Sequence, residues 1–463
     1  MGEAVQTSEL FGGPSAEPTR EPLDGGGLHR RPPERWHGAG WRRRRFAALA
    51  VVWALVVVAA GAGFSLVSFV ATPNGDTAAQ RAVTWAREHG FGGVIDVIER
   101  RVFAEPPSTR PADELALVAP SSGTLLTAAP TTLAPTTAAP TTLAPTTAAP
   151  TAITASTAAA APSTTVAPTA PPTTVPPMPQ APTALAPVVT PPLAGEGEWV
   201  PVAAAGGQPA VWATSWRPST AYPSVIGSFA VIDQTRLVGA LFNGSDVPGG
   251  KDWRLGNRVP EDLHPMVVAA FNGGFRFEHI KGGYVAEGRE VRPLVEGEAT
   301  LAVGRDGRVT IGAYGRDLTN DGTWVAMRQN LPLLVDGGQA TVRDSKGVWW
   351  GADFGNEMYV LRSSVCLLGD GRLMYGAVGK VDAIMLSDVL ASMGCVRAMQ
   401  LDINGTWPTF FTFGPNDAGQ VTGTLLDRRM GGDRNRYLRG STREFVAFFD
   451  RAALAPGNVV QAV

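Results

Sequence analysis

Between positions 46 and 71 the chain carries no charged residue, and this run constrains it more than any other feature. As a helix the run would span about 39 Å at 1.5 Å per residue, against a hydrocarbon core of about 30 Å. It can therefore cross a bilayer with some tilt. Trp41-Arg42-Arg43-Arg44-Arg45 stands directly before it, and basic residues thin out on the far side. The positive-inside rule then places residues 1–45 in the cytoplasm and everything after about residue 72 outside. A cleaved signal peptide fits less well, because the preceding tail is long, the apolar run is long and no clear A-x-A site follows. The expectation is one signal-anchor helix over 46–71 and a single-pass membrane protein.

The remaining organisation follows from shifts in composition. Residues 1–45 are rich in Gly, Pro, Arg and Glu without apolar periodicity, which predicts a disordered cytoplasmic tail. Residues 72–105 carry helical spacing at Ala82, Val83, Trp85 and Ala86, interrupted by Gly90, Gly92 and Gly93. They read as a short juxtamembrane helical segment, lying on the bilayer surface or packed on something else. Residues 106–195 are dominated by Pro, Thr and Ala, and TAAPTTLAPT recurs within 127–146. Such a tract cannot offset its chain entropy by burial. It predicts a disordered stalk reaching on the order of 280 Å if extended as polyproline II.

Residues 196–463 mix apolar, charged and aromatic residues as a packed domain does. Short β-rich runs at 228–232, 266–270, 300–303 and 309–311 alternate with Gly-, Asn- and Asp-rich turns. Helical patterns cover 381–393, closed by Gly394, and 443–452. Strands dominate without a regular βαβ repeat. The fold class expected is α+β, rich in antiparallel or mixed sheet, with few helices. Cys366 and Cys395 either form one bridge in an oxidising exterior or stay as buried thiols.

Several chemistries are excluded. The net charge is −2, so no global basic field serves nucleic acid. The exported domain has only His264 and His279, which rules out a three-His zinc site and H-E-x-x-H. There is no G-x-S-x-G elbow, no S-x-x-K motif and no Walker loop. Carboxylates, arginines, asparagines and glycines in loops remain. Carboxylate pairs suit glycosidic cleavage, and guanidinium forks suit phosphate.

Four clusters carry such residues. A buried strand over 267–271 runs into Asn272-Gly273-Gly274-Phe275. The stretch 327–335 contains Arg328-Gln329-Asn330-Leu331 and ends in Asp336-Gly337-Gly338. A third strand holds Arg362-Ser363-Ser364, and a fourth, over 396–401, delivers Asp402 and Asn404 to its C-terminal mouth. Asp433 to Leu438 forms a polar stretch that covers the site or lies on the surface.

In this order the clusters resemble the phosphodiester glycosidase family, and most closely its membrane-anchored actinobacterial branch. The resemblance covers most of 196–463. It implies an α+β fold and hydrolysis of a sugar-1-phosphodiester. Carried over by position, it implies site roles for Asn272, Gly273, Gly274, Arg362 and Asp402. The chain departs from the family's L-D-G-G-G-S pattern at Ile403, Asn404, Gly405 and Thr406, which make a bulkier loop.

The expected activity is an extracellular glycosidase acting on a sugar-phosphate linkage, with a cell-wall polymer as one candidate substrate. Asp402 is expected as acid, base or stabilising carboxylate, with Asp336 or Glu287 as its partner. Arg362 and Arg328 would hold the phosphate, while Asn272 and Asn404 would bind sugar hydroxyls. Ca²⁺ held by Asp and Asn oxygens is an open alternative. The rival reading is a non-catalytic wall-polysaccharide binder that stacks sugars on Trp349, Trp350, Trp407, Phe410 and Phe411.

Overall fold

Apolar runs that read as short strands do become strands, and buried apolar side chains on both faces of several of them build a layered domain. The computed structural model describes residues 61, 63–71, 78–118, 180–344, 350, 358–403, 407–458 and 460. Most of the expected membrane span, the whole cytoplasmic tail and the middle of the Pro/Thr/Ala tract lie outside these residues. Residues 61 and 63–71 are helical. Among the described residues no helix is long and apolar enough to cross a membrane.

In chain order the helices α1 (Ala78–Ala86) and α2 (Gly92–Phe103) come first. Then follow β1 (Val200–Ala205), β2 (Gln208–Trp216), β3 (Gly227–Ile232), β4 (Leu237–Phe242), β5 (Val267–Asn272), β6 (Tyr284–Ala286), β7 (Arg289–Arg292), β8 (Ala299–Gly304) and β9 (Val309–Ala313). Next are β10 (Trp324–Gln329), β11 (Val335–Asp336), β12 (Gln339–Ala340), β13 (Val360–Leu368) and β14 (Leu373–Val381). Helix α3 (Ala383–Ser392), β15 (Cys395–Gln400), β16 (Phe410–Pro415), β17 (Val421–Leu425), α4 (Arg436–Arg439) and β18 (Phe445–Asp450) complete the chain.

The strands form three sheets. An eight-stranded sheet has the order β1-β2-β3-β14-β13-β15-β11-β12, and two five-stranded sheets have the orders β7-β6-β10-β8-β9 and β17-β16-β5-β18-β4. Each named strand pairing is antiparallel. The α+β expectation stands, and the sheet is antiparallel rather than mixed.

The principal core lies between the sheets, where Val211, Leu301, Val365, Phe271 and Phe448 meet. Helix α3 covers the other face of the eight-stranded sheet through Leu386 and Leu390. Its N-terminus is capped by Asp382, whose carboxylate accepts the Met385 N–H at 2.7 Å. Gly394 follows the last turn at φ +83°, a conformation that glycine adopts without steric cost. Cys366 and Cys395 are bridged, with Cα atoms 5.7 Å apart, which joins the neighbouring strands β13 and β15.

One helix expectation is overturned. Residues 445–450 are the strand β18, not the middle of a helix. Val446 and Phe448 face the core between the sheets, while Phe445, Ala447 and Phe449 face a second apolar cluster. A strand buried on both faces shows a continuous apolar run, which periodicity alone cannot tell from a buried helix.

The domain boundary also differs from the expected one. The described ends of the tract, 106–118 and 180–195, are seated on the domain. Val118 N–H donates to Leu426 O at 3.0 Å and Arg428 N–H to Ala116 O at 3.1 Å, so Leu117 pairs as a bridge with Asp427. Ala116 is buried. At the other end the indole N–H groups of Trp199 and Trp216 donate to Thr183 O and Ala186 O, at 3.0 and 3.1 Å. These carbonyls are three residues apart, one turn of a polyproline II helix. Arg217 and Glu196 then form a buried ion pair at 2.6 Å, and Arg217 also donates to Pro191 O at 2.8 Å. Pro-rich chain has no side-chain core of its own, but here its carbonyls are bound by indole and guanidinium donors from β2 and its flanks.

Candidate functional site

The end of β5, the start of β18 and the end of β15 converge where the central five-stranded sheet meets the eight-stranded one. Phe445 is opposite Asn272 in the β5–β18 ladder, and Gly273 N–H donates to Glu444 O at 2.9 Å. On the other side Ser363 N–H donates to Asp402 O and Leu401 N–H to Ser363 O, both at 2.8 Å. Asn272 ties the two sheets together by donating to Ser363 Oγ at 3.1 Å. The result is a narrow crevice of about 180 Å³ between atoms, lined by Asn272, Gly273, Asp402, Trp407, Arg443 and Glu444 together with Tyr437 and Ser441. Residues 404–406, which join Ile403 to Trp407 beside it, lie outside the described residues, and so the expected role of Asn404 does too.

Two carboxylates reach the crevice, each held by an arginine. Asp402 Oδ2 lies 2.7 Å from Arg443 Nη2, and its Oδ1 accepts the Ile403 N–H at 2.7 Å. The Arg443 guanidinium is sandwiched against the Trp407 ring, 4.7 Å from its centroid, and also donates to Gly274 O. Glu444 is fully buried. Its Oε1 accepts Arg328 Nε at 2.7 Å and Gly274 N–H at 3.0 Å. Glu444 Oε2 is buried with no hydrogen-bond partner among the described residues.

Glu444 explains the first glycine after β5, and Asn330 with Arg328 the second. A Cβ on Gly273 would lie 2.5 Å from Glu444 Oε1 and 2.6 Å from its Cδ. A Cβ on Gly274 would press on the Asn330 amide at 3.1 Å. The strand end must therefore be bare for the carboxylate to enter.

The predicted site residues fall into three groups. Asp402 and Gly273 are in the crevice, and Gly274 adjoins it through its N–H to Glu444 Oε1. Asn272 is there too, but all its hydrogen-bonding capacity is spent inside the protein: Oδ1 accepts from Tyr375 and Thr409, and Nδ2 donates to Ser363 Oγ and Gly273 O. Arg328 stands behind Glu444 rather than open to a ligand, donating also to Phe275 O and Gln329 O. It belongs to a scaffold with its neighbours. Gln329 holds Gly283 and Val295, and Asn330 holds Phe275, Gln400 and Leu401.

Arg362, Asp336 and Glu287 lie elsewhere. The buried Arg362 guanidinium donates to Val381 O, Trp350 O, Met358 O and Gln400 Oε1, at 2.9, 2.7, 2.9 and 3.2 Å. Burial lowers its pKa to about 10. Its donors brace loops and are not presented to a phosphate. Asp336 pairs with the half-exposed Arg316 at 2.6 Å and sits opposite Arg397 in β15. Arg397 is five residues before Asp402, about 16 Å along an extended strand. That exceeds the ~5–9.5 Å spacing of glycosidase carboxyl pairs. Glu287 accepts Leu255 N–H at 2.8 Å and Arg254 N–H at 3.0 Å, and so fixes a loop.

Sequence reasoning missed Arg443 and Glu444. A charged pair flush against the uncharged run 445–449 was the available signal. The polar stretch 433–438 does reach the site, since Tyr437 lines the crevice and hydrogen-bonds Thr409 Oγ1 at 2.7 Å. Burial raises the Tyr437 pKa, so the phenol stays protonated. The aromatic residues expected to stack on sugars are buried: Trp350, Phe410 and Phe411 completely, Trp407 nearly so. Trp349 lies outside the described residues. Among the described residues no three His, Cys, Asp or Glu side chains group around one point, and both crevice carboxylates are already paired with arginine.

Two buried carboxylates, each paired with an arginine, therefore meet at one crevice of an antiparallel-sheet domain. Residues 265–403, from just before β5 to Asp402 and Ile403, match the family model described as phosphodiester glycosidase, and that stretch of the chain is similar to this family. No curated protein matches the chain. Among solved structures it is similar to the catalytic domain of zebrafish N-acetylglucosamine-1-phosphodiester alpha-N-acetylglucosaminidase auto-inhibited by pro-peptide, at 15% identity. That match covers 54% of this chain and 87% of that one with a TM-score of 0.36. It is also similar to a hypothetical protein from Synechocystis, at 11% identity over 54% of this chain and 64% of that one, TM-score 0.30. An exported protein from Burkholderia pseudomallei matches at 12% identity over 48% of this chain and 74% of that one, TM-score 0.29.

Proposed function

We propose that the domain hydrolyses a sugar-1-phosphodiester at the outer face of a membrane, with Asp402 and Arg443 at the reacting centre. The observation that carries this reading is the family stretch delivering Asp402 into a crevice beside a second carboxylate and an arginine. Arg443 takes the phosphate-binding role that Arg362 does not offer. Its guanidinium is held by Asp402 and Trp407, so it is oriented before a phosphate arrives. Asp402 then stabilises positive charge developing at the sugar's anomeric carbon as the phosphate departs. The crevice is tight, with essentially no free volume of its own against the ~300 Å³ of an ordinary ligand pocket, and it is the floor of the proposed site.

The membrane anchor remains part of this reading. The uncharged run 46–71 supplies the span. Phe91, Val94, Val97 and Ile98 leave an exposed apolar face at the start and along one side of α2, as a helix lying at a bilayer surface does. Residues 106–118 are seated on the domain, so residues 72–105 are the chain between it and the uncharged run. Wall polymers with sugar-phosphate links are within reach of such an enzyme. The test is release of free sugar from a panel of sugar-1-phosphodiesters by the detergent-solubilised full chain. Saturable polymer binding without product would favour the binding-module reading instead.

A further inference from the structure

We infer that Glu444 is a catalytic residue and that its unpartnered oxygen accepts the proton of the attacking water. This rests on the sugar-1-phosphodiester reading and deepens it.

Glu444 was not among the residues that the sequence motifs point to, yet the fold is arranged around it. Gly273 leaves bare the space its carboxylate fills, and Gly274 leaves room for the Asn330 amide and the Arg328 guanidinium beside it. One oxygen is fixed by Arg328 Nε and Gly274 N–H, at 2.7 and 3.0 Å. Arg328 is itself locked by Phe275 O and Gln329 O. The carboxylate can therefore neither rotate nor withdraw. Oε2 is left buried and without a partner among the described residues, on a side chain that lines the crevice with Asp402 and Arg443. A buried acceptor left unmet costs about 1–3 kcal/mol, and a carboxylate serving only as a counter-ion for Arg328 could be placed without that cost. Unsatisfied buried groups concentrate where a ligand is to supply the partner.

The step balances as an inverting displacement. Water oxygen forms a bond to the anomeric carbon while its proton passes to Glu444 Oε2. The bond from that carbon to the bridging phosphate oxygen breaks, and its electron pair leaves on the phosphate monoester, beside Arg443. Glu444 later returns the proton to solvent. Asp402, tied to Arg443 and to Ile403 N–H, is not free to do this and stabilises charge instead.

The test uses the full chain in detergent with a synthetic sugar-1-(methyl phosphodiester) that the wild type turns over. Glu444→Gln is expected to lower kcat by about 10²–10⁴-fold with little change in KM. Glu444→Ala is expected to regain turnover with azide and to yield a glycosyl azide of inverted configuration. Rescue by azide is not expected of a residue that only holds Arg328. If Glu444→Gln does not fold, Glu444→Gln combined with Arg328→Met removes the unpaired charge and is assayed in its place. Wild-type kcat in either folded variant, or no azide product from folded Glu444→Ala, overturns the inference while the hydrolase reading stands. A wild type that releases no sugar from any phosphodiester overturns both.

Discussion

A Cβ on Gly273 would lie 2.5 Å from the Glu444 carboxylate, so the glycine and the glutamate occupy one volume between them across two adjacent strands. Glu444 cannot yield, because Arg328 and Gly274 hold its other side. Gly273→Ala should therefore cost about 1–3 kcal/mol of stability, as overpacking does, and should remove activity. Thermal denaturation and turnover of that single variant check both effects. Wild-type stability would mean the carboxylate moves freely and is not held as described.

The buried pair of Glu196 and Arg217 pins the end of the Pro-rich tract to β2. Burial acts to raise the Glu196 pKa, but hydrogen bonds from Arg217 and from the Leu193 N–H outweigh it and hold the carboxyl below its usual value of 4.5. A depressed carboxyl stabilises the fold above its unfolded pKa, and that contribution is lost as pH falls through the folded one. Removing one partner of a buried pair costs about 3–5 kcal/mol. Glu196→Gln should show this deficit at pH 7, and the gap to wild type should close as pH drops below about 4.5. Urea titrations of both proteins between pH 7 and 3 read it out.

The tract 119–179 has both of its flanks seated on the domain, at Leu426–Arg428 and at Trp199–Arg217. We predict that it acts as a connection between two points on the domain and not as a spacer. Cleavage at a protease site inserted within 119–179 should leave the two halves together through size-exclusion chromatography in detergent. An N-terminal piece that elutes separately would restore the stalk.

Much of the site was legible where the signal is local. Asn272, Gly273, Gly274 and Asp402 each sit at a strand end that the apolar run announces, and the structure brings Asn272, Gly273 and Asp402 to one crevice with Gly274 beside it. Glu444 and Arg443 were hidden because what makes them matter is 170 residues away in sequence, at Gly274. The helix read over 443–452 is β18, since a strand buried on both faces loses its alternation. Asp336 and Arg362 have the right chemistry, but register puts one at the far end of β15 and burial spends the other on backbone carbonyls. The domain boundary was misplaced because Pro-rich composition reports the absence of a core of its own, not whether tryptophans elsewhere will bind its carbonyls.

The most direct test of the central claim compares the full chain with Asp402→Asn on a panel of sugar-1-phosphodiesters, with and without Ca²⁺, following free sugar by NMR. Arg443 remains stacked on Trp407 and bound to Gly274 O in the variant, so it should fold with a modest loss of stability. The account predicts release of sugar by the wild type from at least one substrate and a fall of about 10³-fold or more in Asp402→Asn, in line with loss of a catalytic carboxylate. No release by folded wild type, or equal release by the two proteins, would contradict it.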